Sequence, residues 1–230
     1  MHEAAVSDNV KRYNRSVDAD GLAARFRMPM VRRSLLRYAF GGPMKLSYFL
    51  LSLSLALPSV CLAELKDENL LQNLPNGYKV DFQTKQGNIV MTEMVPQTET
   101  VKNWTEMVTT QIFLGMKNAT PEQFQAFMAK SWLAACKGGE VAPITKGEEN
   151  GYAFSIWLQA CPLNQSTGKP EKTWFKAIKG NDSFYVVQKA FKFDPSKDQI
   201  TQWMQYFRSV MVCDTRLADR PCPKLEKIGQ

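Results

Sequence analysis

Met44 to Ala63, MKLSYFLLSLSLALPSVCLA, is the segment that most restricts what this chain can fold into. Lys45 gives a positive start, and Leu46 to Leu57 is an apolar run with a few serines. Pro58 and Ser59 break it, and Cys61-Leu62-Ala63 puts small residues at −3 and −1 before Glu64. That order is the pattern of a secretory signal peptide. A membrane-spanning helix needs about 20 apolar residues, and Pro58 shortens this run further. Cleavage after Ala63 is therefore expected, with an uncleaved N-terminal anchor as the alternative. A lipid attached at Cys61 is disfavoured, because Val60 and Pro58 stand where that signal has a small residue and a leucine.

The division that follows is an over-extended, disordered start over 1–43, the signal peptide over 44–63 and one folded domain over 64–230. Residues 1–43 hold eight Lys and Arg and show no apolar period. As a functional element they would be a basic arm for nucleic acid or anionic lipid. Arg32-Arg33-Ser34-Leu35-Leu36 faintly resembles a twin-arginine signal. Met44 as the initiator is preferred, because a complete signal begins there.

Charge follows the same division. Nine of the 29 Lys and Arg and four of the 22 Asp and Glu precede Glu64, which leaves 20 against 18 in the expected domain. A nucleic-acid argument from the overall charge of +7 would thus rest on the leader. The single histidine is His2, so the expected domain has none. That argues against a Ser-His-Asp or Cys-His nucleophile, a histidine general base and nearly all catalytic zinc sites.

Cys136, Cys161, Cys213 and Cys222 make an even set in an exported domain, which predicts two disulfides. Three pairings exist; the nearest-neighbour one, Cys136–Cys161 with Cys213–Cys222, is preferred. There is no C-x-x-C, which disfavours a thiol oxidoreductase and a four-cysteine zinc site. No metal site and no cofactor is expected.

Along the domain, Glu64 to Leu74 reads as a short helix or a loose arm. Tyr78, Val80 and Phe82 alternate with polar residues, and Ile89 to Val95 follows the turn Gln86-Gly87-Asn88, so 78–95 predicts a hairpin. Trp104, Val108 and Ile112 recur at helical spacing, so 100–108 is read as a helix start, although Thr109 to Phe113 suits a strand equally. Thr120-Pro121-Glu122-Gln123 opens a helix that Lys137-Gly138-Gly139 ends. Val141 to Thr145, then Tyr152 to Gln159 after the turn Glu148-Glu149-Asn150-Gly151, predict strands. Lys172 to Lys179 and Phe184 to Phe193 make another hairpin; its second strand is apolar on both faces and is expected in the middle of a sheet. Ser196-Lys197-Asp198-Gln199 is a capping box opening a last helix with an apolar stripe from Ile200 to Met211. The expected order is ββ, α, α, ββββ, α: an α+β domain in which helices cover an antiparallel sheet.

With that order, the chain resembles the Mog/PsbP-like group of α/β/α sandwich proteins, in particular uncharacterised secreted bacterial members. The resemblance rests on Gly77-Tyr78-Lys79-Val80, on Val95-Pro96 leading into Asn103-Trp104-Thr105-Glu106-Met107-Val108-Thr109, on Ile178 to Gln188 and on the helix around Trp203. It spans 76–213 and carries no catalytic signature, so it implies architecture. Most members of the group act by binding a larger partner. Histidine-based metal sites of its photosystem members do not carry over.

Three residues are candidates for partner binding. Trp157 lies on the Ser155/Gln159 side of its strand, where it either anchors a partner or sits under a helix. Trp104 and Glu106 follow a turn, as a polar site or as a helix start with a core tryptophan. Glu148 and Glu149, adjacent in a turn, are expected to be solvated. The expected function is an exported, disulfide-stabilised, non-enzymatic accessory protein of the periplasm or outside a Gram-negative-type cell. It would bind an envelope or extracellular protein, bind no nucleic acid and meet the membrane only during export. The alternatives are an inhibitor or immunity-type protein acting on an envelope enzyme through a protruding loop over 162–171, and a hydrolase with two facing carboxylates about 5–9.5 Å apart.

Overall fold

The structure, a computed structural model, describes residues 65–223. The expected leader and signal segment lie outside the described residues. Nine strands and two helices occur among the described residues: β1 Glu68–Leu71, β2 Tyr78–Gln86, β3 Ile89–Pro96, β4 Glu106–Leu114, α1 Pro121–Ala135, β5 Glu140–Glu149, β6 Tyr152–Asn164, β7 Lys169–Lys179, β8 Ser183–Phe191, α2 Lys197–Ser209 and β9 Met211–Asp214.

Seven strands form one antiparallel sheet in the order β2-β3-β4-β8-β7-β6-β5. β8 is the middle strand, as its two apolar faces predict: Phe184, Tyr185, Val186 and Val187 are all buried. The two edge strands both carry register shifts, at Val80/Phe82 in β2 and Pro143/Thr145 in β5. Bulges and charged side chains at an edge discourage pairing with a further chain.

α1 covers one face, over Phe113, Trp157, Phe175, Phe184 and Val186. α2 covers the other, setting Trp203 and Phe207 on Tyr78, Trp174, Ile178 and Phe191. Each such large apolar side chain contributes about 1.5–3 kcal/mol on burial. Both helices open with the expected capping boxes, Thr120 with Gln123 and Ser196 with Gln199. The result is the layered α+β domain that the patterning predicts. Cys136–Cys161 and Cys213–Cys222 are the disulfides formed.

Several expectations are corrected. No helix starts over 100–108; β4 begins at Glu106. Residues four apart lie on one side of a strand as readily as of a helix, so the Val108/Ile112 spacing did not discriminate. Glu68–Leu71 is a strand, not a helix or a loose arm, and pairs with β9 in a separate two-stranded sheet. The last helix stops at Ser209, and Met211 passes into β9. β5 runs through Glu149 rather than ending at Thr145.

Candidate functional site

β8 points alternate residues toward α2, and one of them is a lysine. Lys189 stands between Val187 and Phe191 on that face, and its side chain is fully buried. Its ammonium donates to Tyr78 Oη at 2.6 Å and to Glu106 Oε2 at 2.7 Å, while Tyr78 Oη donates to the same carboxylate oxygen at 2.7 Å. The rings of Trp203 and Phe191 complete the cage, with centroids 4.0 Å and 4.3 Å from Nζ. A cation in such a cage is held by the ring quadrupoles as well as by the carboxylate.

Burial pulls the Lys189 pKa down to about 8, against the opposing pull of Glu106. Burial, and then the hydrogen bond to Glu106, push the Tyr78 hydroxyl well above the ordinary tyrosine range. The hydroxyl therefore stays protonated at all moderate pH and serves as a fixed donor.

Glu106 is where this cluster reaches the surface. With Pro75, Asn76, Tyr78, Pro96, Gln199, Gln202, Trp203 and Tyr206, it lines an open cleft of about 630 Å³. The cleft wall is built from three directions. The segment before β2 is fastened to α2 by Tyr206 Oη, which donates to Asn73 O at 2.8 Å and accepts from Gln72 Nε2 at 2.8 Å. Gln72 Oε1 in turn accepts from Thr110 Oγ1 of β4 at 2.7 Å. In the loop before β4, Thr105 N and Oγ1 donate to Glu99 at 2.7 Å and 2.5 Å, which fixes the approach to Glu106. The N-terminal half of α2 supplies the rest.

A second buried lysine lies on the same face. Lys176 Nζ donates to the carbonyls of Phe207 and Val210, both at 2.8 Å, and pairs with Glu149. It thus satisfies carbonyls at the C-terminal end of α2, where a positive charge is favoured. This corrects the expectation that both turn glutamates are merely solvated: Glu149 holds a buried ammonium.

The three candidate residues separate. Glu106 lines the cleft. Trp157 is fully buried, stacked on Phe175 at 4.8 Å and edge-on to Phe124 under α1, so it takes the covered alternative. Trp104 is buried with Val95, Met107 and Ala190, and the Lys192 ammonium lies 3.7 Å from its ring centroid. Tyr78, Lys189 and Trp203 were not singled out from the sequence. The available signal was a lysine at an inward position of an otherwise apolar strand.

Glu106 is the one carboxylate among the residues lining this cleft. Among the described residues no group of three or more His, Cys, Asp and Glu is placed to hold a metal ion. None of the described helices is long and apolar enough to cross a membrane.

No family model matches the sequence, and no curated protein does. Solved structures with a similar backbone include a mutant of the protein Mog1, at TM-score 0.37 and 9% identity over 61% of this chain and 84% of that one. The Ran-binding protein Mog1p of Saccharomyces cerevisiae scores 0.36 at 9% identity, over 62% and 85%. LpqN, involved in cell envelope biogenesis of Mycobacterium tuberculosis, scores 0.35 at 10% identity, over 66% and 86%. Mog1 gives its name to the group that the sequence resembles; at these scores the likeness carries no functional argument.

Proposed function

We propose that the chain is an exported, disulfide-stabilised accessory protein that binds a partner protein through the cleft beside Glu106 and catalyses no reaction. The observation that carries this is the cleft itself. Its walls are held in place by Tyr206, Gln72 and the buried Lys189–Glu106–Tyr78 cluster, so it is preorganised. Rings and side-chain amides line it together, the mixture that recognition surfaces favour. Export is supported by the signal pattern of Met44 to Ala63 and by the two disulfides. The hydrolase alternative lacks its second carboxylate in the cleft lining. The inhibitor alternative is favoured by a different observation, the exposed Leu163 near the β6–β7 turn and the Cys136–Cys161 bridge.

A photo-crosslinking side chain placed at the exposed Gln202, in cells that export the protein, tests this reading. One discrete protein adduct is expected from Gln202 and none from the exposed Lys137 after α1. No adduct, or the same adducts from both positions, would remove the cleft as the partner site. N-terminal sequencing of the exported product should begin at Glu64.

A further inference from the structure

We propose that Asn76-Gly77, on the rim of the cleft, is a site of spontaneous deamidation, and that the reaction adds a carboxylate to the cleft lining and closes it to its partner. The modification site stands on the turn itself. Its effect on the partner rests on the reading that the cleft is the partner site.

The chain has two Asn-Gly pairs, Asn76-Gly77 and Asn150-Gly151. Glycine is the most permissive residue to follow a reacting asparagine, because it has no Cβ to shield its backbone nitrogen from the preceding side chain. That nitrogen loses its proton to base and bonds to the asparagine Cγ. The Cγ–Nδ2 bond breaks, and ammonia leaves. Water then opens the resulting succinimide at either carbonyl. Opening at Cγ gives aspartate. Opening at the main-chain carbonyl gives isoaspartate, in which the chain runs through Cβ and Cγ. Either product carries a carboxylate where the amide stood, and water is the only co-reactant.

The fold leaves the first pair open. Pro75 to Tyr78 form a turn closed by Tyr78 N, which donates to Pro75 O at 3.0 Å, with Gly77 at a φ of 78°. Gly77 N has no hydrogen-bond partner among the described residues, and neither has the Asn76 side-chain amide. Both residues are exposed, and no atom lies within 4 Å of where a Cβ on Gly77 would stand. The second pair is held. Asn150 is half-buried, and its Nδ2 donates to Val212 O at 2.8 Å. The Arg220 side chain crowds Gly151, with Nε 2.6 Å from where a Cβ would stand. Attack at Asn150 requires the Val212 bond to break, so Asn76 reacts first.

The product changes the cleft. Its lining holds Glu106 and no Lys or Arg, and the buried Lys189 is already paired with Glu106. The new carboxylate therefore faces a partner without a cation beside it. In the isoaspartate the main chain also gains an atom between Pro75 and Gly77. That displaces the two bonds that seat the turn, Tyr78 N to Pro75 O and Gln97 N to Gly77 O, the latter at 2.9 Å.

The test is peptide mapping of the exported, disulfide-intact protein during incubation in mildly alkaline buffer, once folded and once in urea. In the folded protein the peptide holding Asn76 should gain the mass of an amide-to-acid exchange at least about tenfold faster than the peptide holding Asn150, the factor set by opening one hydrogen bond. In urea the two rates should converge, since both pairs are then equally free. Asn76→Gln should abolish the gain in its peptide, because the longer side chain closes the ring poorly. Equal rates in the folded protein, a faster Asn150, or a gain that survives Asn76→Gln would overturn the site. The photo-crosslinker at Gln202 reads the effect on the partner: converted protein should give at least about threefold less of the adduct than fresh protein. An undiminished adduct would overturn the closing of the cleft. If fresh protein gives no adduct either, the partner reading falls, and the modification site stands on its mass gain alone.

Discussion

Lys189 and Glu106 join the two sides of the sheet's central seam. The ammonium on β8 meets the carboxylate at the start of β4 at 2.7 Å, with the lysine fully buried and the glutamate side chain 21% exposed. The buried member is therefore the one that depends on the pair. Glu106→Ala should destabilise the domain by about 3 kcal/mol, because it leaves an ammonium buried without its carboxylate. Lys189→Met removes the charge and keeps an apolar stem among Tyr78, Phe191 and Trp203; it should change stability by less than about 1 kcal/mol. Urea unfolding of the two variants decides it, and equal losses would show that the pair is not asymmetric.

The same lysine gives stability a pH dependence with a definite sign. Its pKa is about 8 in the folded protein and about 10.4 in the unfolded chain. Between those values the unfolded state binds more protons, so stability rises with pH, by up to about 3 kcal/mol over the window. Below pH 8 both states are protonated and this group contributes no slope. Lys176 is also lowered by burial, and its contribution has the same sign. Burial raises Tyr78, Tyr185 and Tyr206, whose stabilising contributions are lost above about pH 10 as the unfolded tyrosines ionise. Unfolding free energies at pH 8 and 9.5 should therefore rise in the wild type and rise less in Lys189→Met. Identical slopes would place the lysine pKa elsewhere.

The disulfides close loops of different length and should count differently. Cys136–Cys161 spans 25 residues and Cys213–Cys222 spans nine. Chain entropy alone gives about 3.5 and about 2.5 kcal/mol respectively. Replacing each pair by alanines should lower the urea midpoint in that order. Labelling of the oxidised protein should find no free thiol among the four cysteines.

What could be read in advance follows a physical line. β8 was placed at the centre because both its faces are apolar, and the two helices were placed by side chains that cap their own backbone. Asn150-Gly151 was readable because its turn needs positive φ, observed at 48° and 73°. β4 was not, because Met107, Val108, Thr110, Gln111 and Phe113 are buried on both of its faces and so leave no alternation. β1 and β9 have four residues each and exist through each other. The site was half legible. Glu106 was a candidate by its place after a turn, but its partner is 83 residues away in the chain and reads locally as a surface lysine.

The turn between β7 and β8 holds a contact of the same long-range kind. Glu68 of β1 accepts from the backbone N–H of Asn181 at 2.5 Å and of Asp182 and Ser183 at 3.1 Å, and from Tyr185 Oη at 2.9 Å. A carboxylate in a nest of backbone donors makes strong, charge-assisted bonds. Gly180 makes room for it. A Cβ there would meet Ser183 O at 2.6 Å and collide with the Glu68 carboxylate. Glu68→Ala should cost about 2–4 kcal/mol and release β1 from the large sheet. Gly180→Ala should cost about 1–3 kcal/mol through the two close contacts. One of those contacts disappears once Glu68 is truncated. Gly180→Ala should therefore cost at least about 1 kcal/mol less in the Glu68→Ala background than in the wild type. Amide exchange at Leu70 and Val212, partners across the β1–β9 pair, should accelerate in both single variants. Strict additivity of the two substitutions, with exchange at those amides unchanged, would mean that the glycine serves the turn alone and not the latch.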